Sequence, residues 1–293
     1  MPLNYHMPLY RPPSEGNNLI IQVTLGCSFN QCSFCSMYRS KKYSQRSLEA
    51  VVEDIKQAAQ SLPDTRRVFL ADGDAFCLPT DDLLCILDAL KTWLPKLSRV
   101  SCYATPSNIL NKSADELILL KEKGLNLLYL GIESGSNLIL KKITKGASQN
   151  GIAKAMIKAD AAGLKVSGTV ILGLGGKDYW QEHIDGTIAL LNRAPITYLS
   201  TLQLHLEPDI VEEFQTKYEE PFEVPDDRAI LEEQVRLIRG LNPPKSVIFR
   251  SNHASNALAL AGNLPRAKDK LIAQLQDALD GQAVLRPWYI RSM

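Results

Sequence analysis

Three cysteines, Cys27, Cys32 and Cys35, fall within nine consecutive positions of "TLGCSFNQCSFCSMY". The remaining three, Cys77, Cys85 and Cys102, are scattered. Thiolates in the spacing C-x4-C-x2-C are soft ligands suited to zinc or to an iron–sulfur cluster. Structural zinc takes four ligands, and residues 36–50 supply neither a His nor a Cys as the fourth. A plant-type ferredoxin combines this spacing with a distant Cys, for which Cys77 is available. That fold is small and sheet-dominated, whereas this chain is long and alternates strand with helix. The remaining arrangement is a [4Fe–4S] cluster on three cysteines, with one iron open to a further ligand. Three buried small side chains are the bland alternative for the cluster. Cys77, Cys85 and Cys102 read as packing residues.

The elements that must position this loop are legible as periodic segments. Residues 19–25, 66–73, 99–105, 126–132, 164–176, 198–208 and 246–252 have strand character. Residues 47–62, 79–94, 112–124, 149–163, 178–193, 226–240 and 264–279 have helical spacing. Ser47 and Ser113 stand where N-caps are expected, as does Thr80 or Asp81. A helix–Gly–strand junction occurs twice in nearly the same words, "KEKGLNLLYLGI" and "ADAAGLKVSGTVILG". Gly124 and Gly163 can take the left-handed backbone there without steric cost. Such regular alternation predicts parallel β/α units. Six or seven strands without a nucleotide-binding fingerprint predict a partial or full β/α barrel, whose sites form at the C-terminal strand ends. The cysteine loop directly follows the first strand and so belongs on that face. No linker separates two domains.

Composition narrows the partners. Hydrophobic residues make up 45% of the 293, enough for a large core. Lys plus Arg number 33 against 32 acids, and no basic tract advertises capture of nucleic acid. The N-terminal "MPLNYHMPLYRPPSEGNN" does not read as a secretory signal, and no run approaches the ~18 apolar residues of a membrane span. A cytoplasmic protein with reduced thiols is the expectation.

On the cysteine motif and strand pattern together, the sequence resembles the radical S-adenosylmethionine (SAM) superfamily, in particular its coproporphyrinogen-oxidase-like branch. The family's commonest spacing is C-x3-C-x2-C, and this loop is one residue longer. The resemblance covers nearly the whole chain. It implies a partial (β/α)6 TIM-like barrel over 18–255, an N-terminal extension over 1–17 and a C-terminal helical extension over 256–293. It implies that Cys27, Cys32 and Cys35 hold a [4Fe–4S] cluster whose open iron binds SAM. One-electron cleavage then yields a 5′-deoxyadenosyl radical that acts on a small substrate. An electron donor such as flavodoxin or ferredoxin is implied with it. Phe34 matches the aromatic beside the adenine. "LADGD" matches the turn that holds the SAM amino group, with Asp74 as acceptor and Asp72 second. Glu133 in "YLGIESGS" resembles the ribose-binding acid, with Ser134 and Ser136 as helpers. "GTVILGLGG" resembles the adenine motif, where Gly168 and Gly173 admit the ring and Ile171 packs on it.

Toward the substrate, alternation in "STLQLHLEP" sets Thr201, Gln203, His205 and Glu207 on one side. "FRSNHASN" matches a stretch typical of the branch and offers Arg250, Asn252, His253 and Asn256 as a lid or clamp. Gln203, His205 and His253 are the catalytic candidates. Tyr38 and Arg39 are candidates for the cluster's mouth. A different class of function is a non-catalytic heme or iron–sulfur carrier on the same fold, which would need no SAM pocket.

Overall fold

A computed structural model describes residues 3–291. The chain forms two compact units, each assembled from several segments. The first takes the chain up to Asn30, then Met37–Leu130 and Lys158–Val166; the second takes Gln31–Ser36, Gly131–Ile157 and the chain from Ser167.

In the first unit, β1 (Leu19–Gln22) is followed by the short β2 (Thr24–Leu25) and β3 (Ser44–Gln45), then α1 (Leu48–Ser61) and β4 (Arg67–Ala71). Next come α2 (Thr80–Trp93), β5 (Arg99–Ala104), α3 (Pro106–Asn111), α4 (Ala114–Glu122) and β6 (Leu125–Glu133), which this unit carries to Leu130. β1, β4, β5 and β6 pair in parallel, in that order, and β2 pairs antiparallel with β3. Val68, Phe69, Leu70 and Ala71 of β4 are all buried, as in a parallel strand covered on both faces. Helix α1 turns Val51, Ile55 and Ala58 inward at helical spacing. Ser47 caps it by accepting from the Ala50 N–H, and Ser113 forms a capping box with Glu116 on α4. The cap expected at Thr80 or Asp81 is absent: Pro79 holds that position, and the Thr80 hydroxyl donates to Glu116 instead.

A buried acid closes the interior of this unit. Phe69, Tyr103 and Tyr129 meet edge to face, with centroids 5.1 to 6.0 Å apart. Against them lies Glu15, with no exposed surface. It accepts from Tyr129 Oη at 2.6 Å, Ser101 Oγ at 3.0 Å and Arg99 Nη2 at 2.7 Å.

The second unit continues from the end of β6 through α5 (Asn137–Lys142) and α6 (Gln149–Ala161, here to Ile157). It goes on with β7 (Lys165–Leu172, here from Ser167), α7 (Trp180–Arg193), β8 (Tyr198–Gln203), α8 (Val211–Tyr218) and α9 (Asp227–Gly240). It ends with β9 (Val247–Ser251), β10 (Leu260–Leu264) and α10 (Lys268–Leu279). β7, β8 and β9 pair in parallel, and β10 returns antiparallel along β9. The α/β class with mostly parallel pairing therefore holds as expected. Gly124 and Gly163 both have positive φ, at 110° and 75°, as their junctions required. Details differ from the sequence reading, and α5 and α8 were not expected. β8 stops at Gln203 rather than 208, because the chain leaves the ladder there. β10 was not expected, since only the two ends of "LAGNL" are buried. Helix α10 starts at Lys268 rather than 264.

The glycine-rich turn after β7 is held from outside. Tyr218 Oη donates to Leu174 O at 3.1 Å, and the Gly173 N–H donates to Glu233 Oε2 at 2.8 Å. Glu233 is 1% exposed, and its Oε1 is buried without a hydrogen-bond partner. Among the described residues no helix is long and apolar enough to cross a membrane.

Two stability predictions follow from these buried acids. Glu15→Ala leaves two hydroxyls and a guanidinium without their acceptor, so a loss of about 3 kcal/mol is expected in urea unfolding. For Glu233, burial pushes the carboxyl up to about 8, and the Gly173 N–H offsets this only in part. The native state then keeps a proton that the unfolded chain releases near the ordinary value of 4.5. This group's stabilising contribution is therefore present below that value and lost as pH rises toward about 8. Glu233→Gln should flatten that decline in unfolding curves taken across the interval, by an amount on the order of a few kcal/mol at its alkaline end.

Candidate functional site

The first unit contributes the start of the cysteine loop and the turn after β4. Asp72 has no exposed surface. Its Oδ1 accepts from Gln22 Nε2 at 2.9 Å, and its Oδ2 accepts from the Gly26 N–H at 2.9 Å and from Lys41 Nζ at 2.9 Å. Those donors come from β1, from the residue before Cys27 and from the segment leading into β3, so this carboxylate fixes the loop's first corner. Asp74, equally buried, stands at the start of a 3₁₀ turn over Ala75–Cys77 and accepts from Ser28 Oγ. Between them, a Cβ on Gly73 would lie 2.6 Å from Tyr38 Cε2 and 3.2 Å from Cys27 Cβ. Only a glycine lets the Tyr38 ring rest on this turn.

Tyr38 itself is 3% exposed, which corrects its expected place at an open mouth. Its ring meets Tyr10 edge-on at 5.3 Å, and burial pushes its phenol upward. Arg39 instead reaches the Asn30 carbonyl at 3.3 Å. Cys77 Sγ lies 2.8 Å from Tyr43 Oη, and burial with the nearby Asp74 charge pushes the thiol up to about 11. Cys102 is buried in β5 as expected, whereas Cys85 is exposed on α2.

The second unit carries Cys32 and Cys35, both partly exposed, with the Cys35 N–H donating to Cys32 O at 3.2 Å. Between them the buried Ser33 donates its N–H to Ile143 O at 3.0 Å, which ties this part of the loop to the end of α5. Phe34 and Ile171 pack together with Leu206 and Tyr179 on a core of Ile139, Ile143, Leu174, Leu204, Phe214, Tyr218 and Phe222. The two residues expected to flank an adenine therefore share one apolar support.

Glu133 ends β6 in the left-handed region, with φ 61°, and its Oε1 lies 3.0 Å from Lys145 Nζ. Ser134 and Ser136 are engaged within the unit. Ser134 Oγ pairs with His183 Nδ1 at 2.8 Å, while Ser136 Oγ caps α5 and bonds Glu182 at 3.2 Å. His183 Nε2 lies 3.0 Å from Ile171 O, so it carries the proton and Nδ1 accepts from Ser134. Burial pushes this imidazole down to about 4, and it is neutral. Beside Gly168, a Cβ would meet Ile132 Cδ1 and Ile196 Cδ1, each at 2.5 Å. Packing inside the unit thus accounts for that glycine. Gly173 has φ 89° and is held by Glu233.

The substrate-side candidates are also placed. Gln203 is bracketed by Asn256 and Asp227: its N–H donates to Asn256 Oδ1 at 2.7 Å, and its Nε2 donates to Asp227 at 3.2 Å. Asn256 Nδ2 donates in turn to Thr201 O at 2.8 Å and Ser251 Oγ at 2.9 Å. His205 lies beyond the end of β8, half exposed, 3.6 Å from Glu207. His253 Nδ1 pairs with Ser255 Oγ at 2.9 Å. Arg250 bonds the carbonyl of its neighbour Phe249 at 2.7 Å. Asn252 is exposed. Arg286 holds this stretch by donating to the carbonyls of His253, Ala254 and Asn256 at 2.9 to 3.1 Å.

Sequence reasoning passed over Lys145, His183 and Glu233. Lys145 lies in "KKITKG", where nothing in the string marks it. Among the described residues no three His, Cys, Asp or Glu are grouped to hold a single metal ion. A cluster differs from a single ion in taking its thiolates on separate irons.

The Radical SAM superfamily model matches residues 21–191, more than half of the chain. Among curated proteins, the chain is similar to the heme chaperone HemW of Bacillus subtilis, 25% identical over 186 residues that span 63% of this chain and 48% of that protein. A protein named as an uncharacterized methyltransferase of Pyrococcus horikoshii is 28% identical over 181 residues, covering 61% and 38%. The chain thus spans about half or less of the length of these relatives. Among solved structures, methylornithine synthase aligns with a TM-score of 0.56 at 17% identity, over 88% of this chain and 68% of that one. Coproporphyrinogen III oxidase of Escherichia coli aligns with a TM-score of 0.55 at 15% identity, over 76% and 52%. At such identities the likeness is one of fold, the partial barrel that these neighbours share. The chain belongs to the radical SAM superfamily, whose members use a [4Fe–4S] cluster and SAM.

Proposed function

We propose that the protein is a radical SAM enzyme that holds one [4Fe–4S] cluster on Cys27, Cys32 and Cys35 and acts on a small substrate, with flavodoxin or ferredoxin as electron donor. The residues fit such a group. The three thiols are partly exposed, unlike Cys102, and Lys145 offers positive charge near Cys32 and Cys35. When bound, the cluster supplies one electron to the sulfonium of SAM.

The protein's own residues bind and orient. Phe34 and Ile171, on their shared apolar support, receive the adenine. Glu133 accepts from the ribose hydroxyls, and Asp74 accepts from the SAM ammonium. Asp72 is assigned to holding the loop, because Gln22, Gly26 and Lys41 already occupy both of its oxygens. Ser134 is assigned to orienting His183, and Gly168 to internal packing. Gly173 shapes the turn through Glu233. On the substrate side, Gln203 and Asn256 form a fixed wall, and His205 and His253 are the titratable groups beside it. The observation that carries the reading is the Glu133–Lys145 pair together with the Phe34–Ile171 support, since a carrier without turnover needs no nucleoside pocket.

A second reading, a heme or iron–sulfur carrier, draws on the similarity to HemW over 63% of this chain. Turnover separates the two readings. Under strong reductant the cluster-loaded protein should release 5′-deoxyadenosine and methionine from SAM. Tight heme binding with no deoxyadenosine would favour the carrier.

Anaerobically prepared protein should contain about four irons and four sulfides per chain. Alanine at Cys27, Cys32 or Cys35 should abolish the brown absorbance, while alanine at Cys77, Cys85 or Cys102 should leave it. Zinc in stoichiometric amount, without iron, would sink the assignment. Asp74→Ala and Glu133→Ala should each weaken SAM binding by about 1.5–3 kcal/mol, read by calorimetry, while the iron content stays at the parent value.

A further inference from the structure

Lys145 lies just past α5, in a turn where Thr144 and Gly146 both have positive φ, at 53° and 68°. The turn is closed by the Lys145 N–H donating to Leu140 O at 2.9 Å. The cysteine loop is bonded to this same turn, because the Ser33 N–H donates to Ile143 O. One short stretch of backbone therefore holds the loop between Cys32 and Cys35 and also presents an ammonium.

That ammonium is 12% exposed and 3.0 Å from Glu133 Oε1. The room for the pair is made by Gly131, where a Cβ would lie 2.0 Å from Glu133 Oε1 and 2.8 Å from Lys145 Nζ. Burial by itself works to neutralise Lys145, but the Glu133 charge and hydrogen bond oppose it, and the ammonium stays charged. A single exposed ion pair would contribute little. This one is enclosed, and it stands on the turn to which the loop between Cys32 and Cys35 is bonded.

We propose that Lys145 is a positioning residue of the cofactor site, serving as counter-charge to the Cys32 and Cys35 thiolates while it holds the Glu133 carboxylate at the strand end. The inference rests on the ligand assignment above. Charges in such partly buried surroundings interact more strongly than in water. Lys145 therefore favours the reduced, more negative state of whatever Cys32 and Cys35 ligate. Glu133 acts on that state with the opposite sign. A residue that merely packs the turn would have no such signed effect.

The test uses cluster-loaded parent protein, Lys145→Met, Glu133→Gln and the double variant, titrated by EPR against potential without SAM. At the parent's midpoint potential, Lys145→Met should hold about tenfold less reduced relative to oxidised cluster, which is ~59 mV for one electron. Glu133→Gln should shift in the opposite direction, and the double variant should return toward the parent. Shifts of the same sign in the two single variants, or an unchanged midpoint in Glu133→Gln, would overturn the proposal. If Lys145→Met fails to take up iron, the sign of the Glu133→Gln shift decides the matter together with Lys145→Arg, which keeps the charge and should hold the parent's midpoint. The parent's own iron and sulfide content reports separately on the ligand assignment.

Discussion

A carboxylate with no exposed surface, Asp72, sets the first corner of the cysteine loop. A buried charge is tolerated only when it is paired and its lone pairs are satisfied. Asp72 meets both conditions through Lys41, Gln22 and the Gly26 N–H. Because the Gly26 N–H is one of those donors, the backbone immediately before Cys27 cannot move without uncovering the charge. Gly73 then brings the Tyr38 ring onto the same turn, and Asp74 takes Ser28. The loop's start is thereby held by electrostatics and sterics together.

Three buried acids in this protein are handled in different ways, and the differences mark different tasks. Glu15 accepts from two hydroxyls and a guanidinium and closes an aromatic interior, a purely architectural duty. Glu133 has a cationic partner, Lys145, at the end of β6. Glu233 has only a backbone N–H, and burial raises its proton affinity. It serves the glycine-rich turn from behind as a hydrogen-bonding group rather than as a charge. His183 is similarly neutral: it joins the end of β6 to the end of β7 by accepting a hydrogen bond from Ser134 and donating one to the Ile171 carbonyl.

The alternation of strands and helices, the Ser47 and Ser113 caps and the two Gly junctions were legible in the sequence, because each is a local signal with a local cause. So were the cysteine spacing and the acids at strand ends. Short elements were not legible. Helices α3 and α5 have six residues each, fewer than two turns, and β10 exposes its centre, so neither presents a full period. The alternation that set His205 beside Gln203 was real only as far as the strand extends, and β8 ends at Gln203.

The sequence by itself determined the superfamily and the α/β class, since these depend on residue type, spacing and period. Only the tertiary structure decided which polar groups are already used. Asp72, Ser134 and Asn256 read like ligand-facing residues in a string, yet they are bonded to Gln22, His183 and Thr201, which lie 50, 49 and 55 positions away. Nothing in the string marks Lys145, yet it lies against Glu133, 12 positions earlier. The physical reason is that hydrogen-bond saturation and ion pairing are properties of neighbours in space, which periodicity along one chain does not encode.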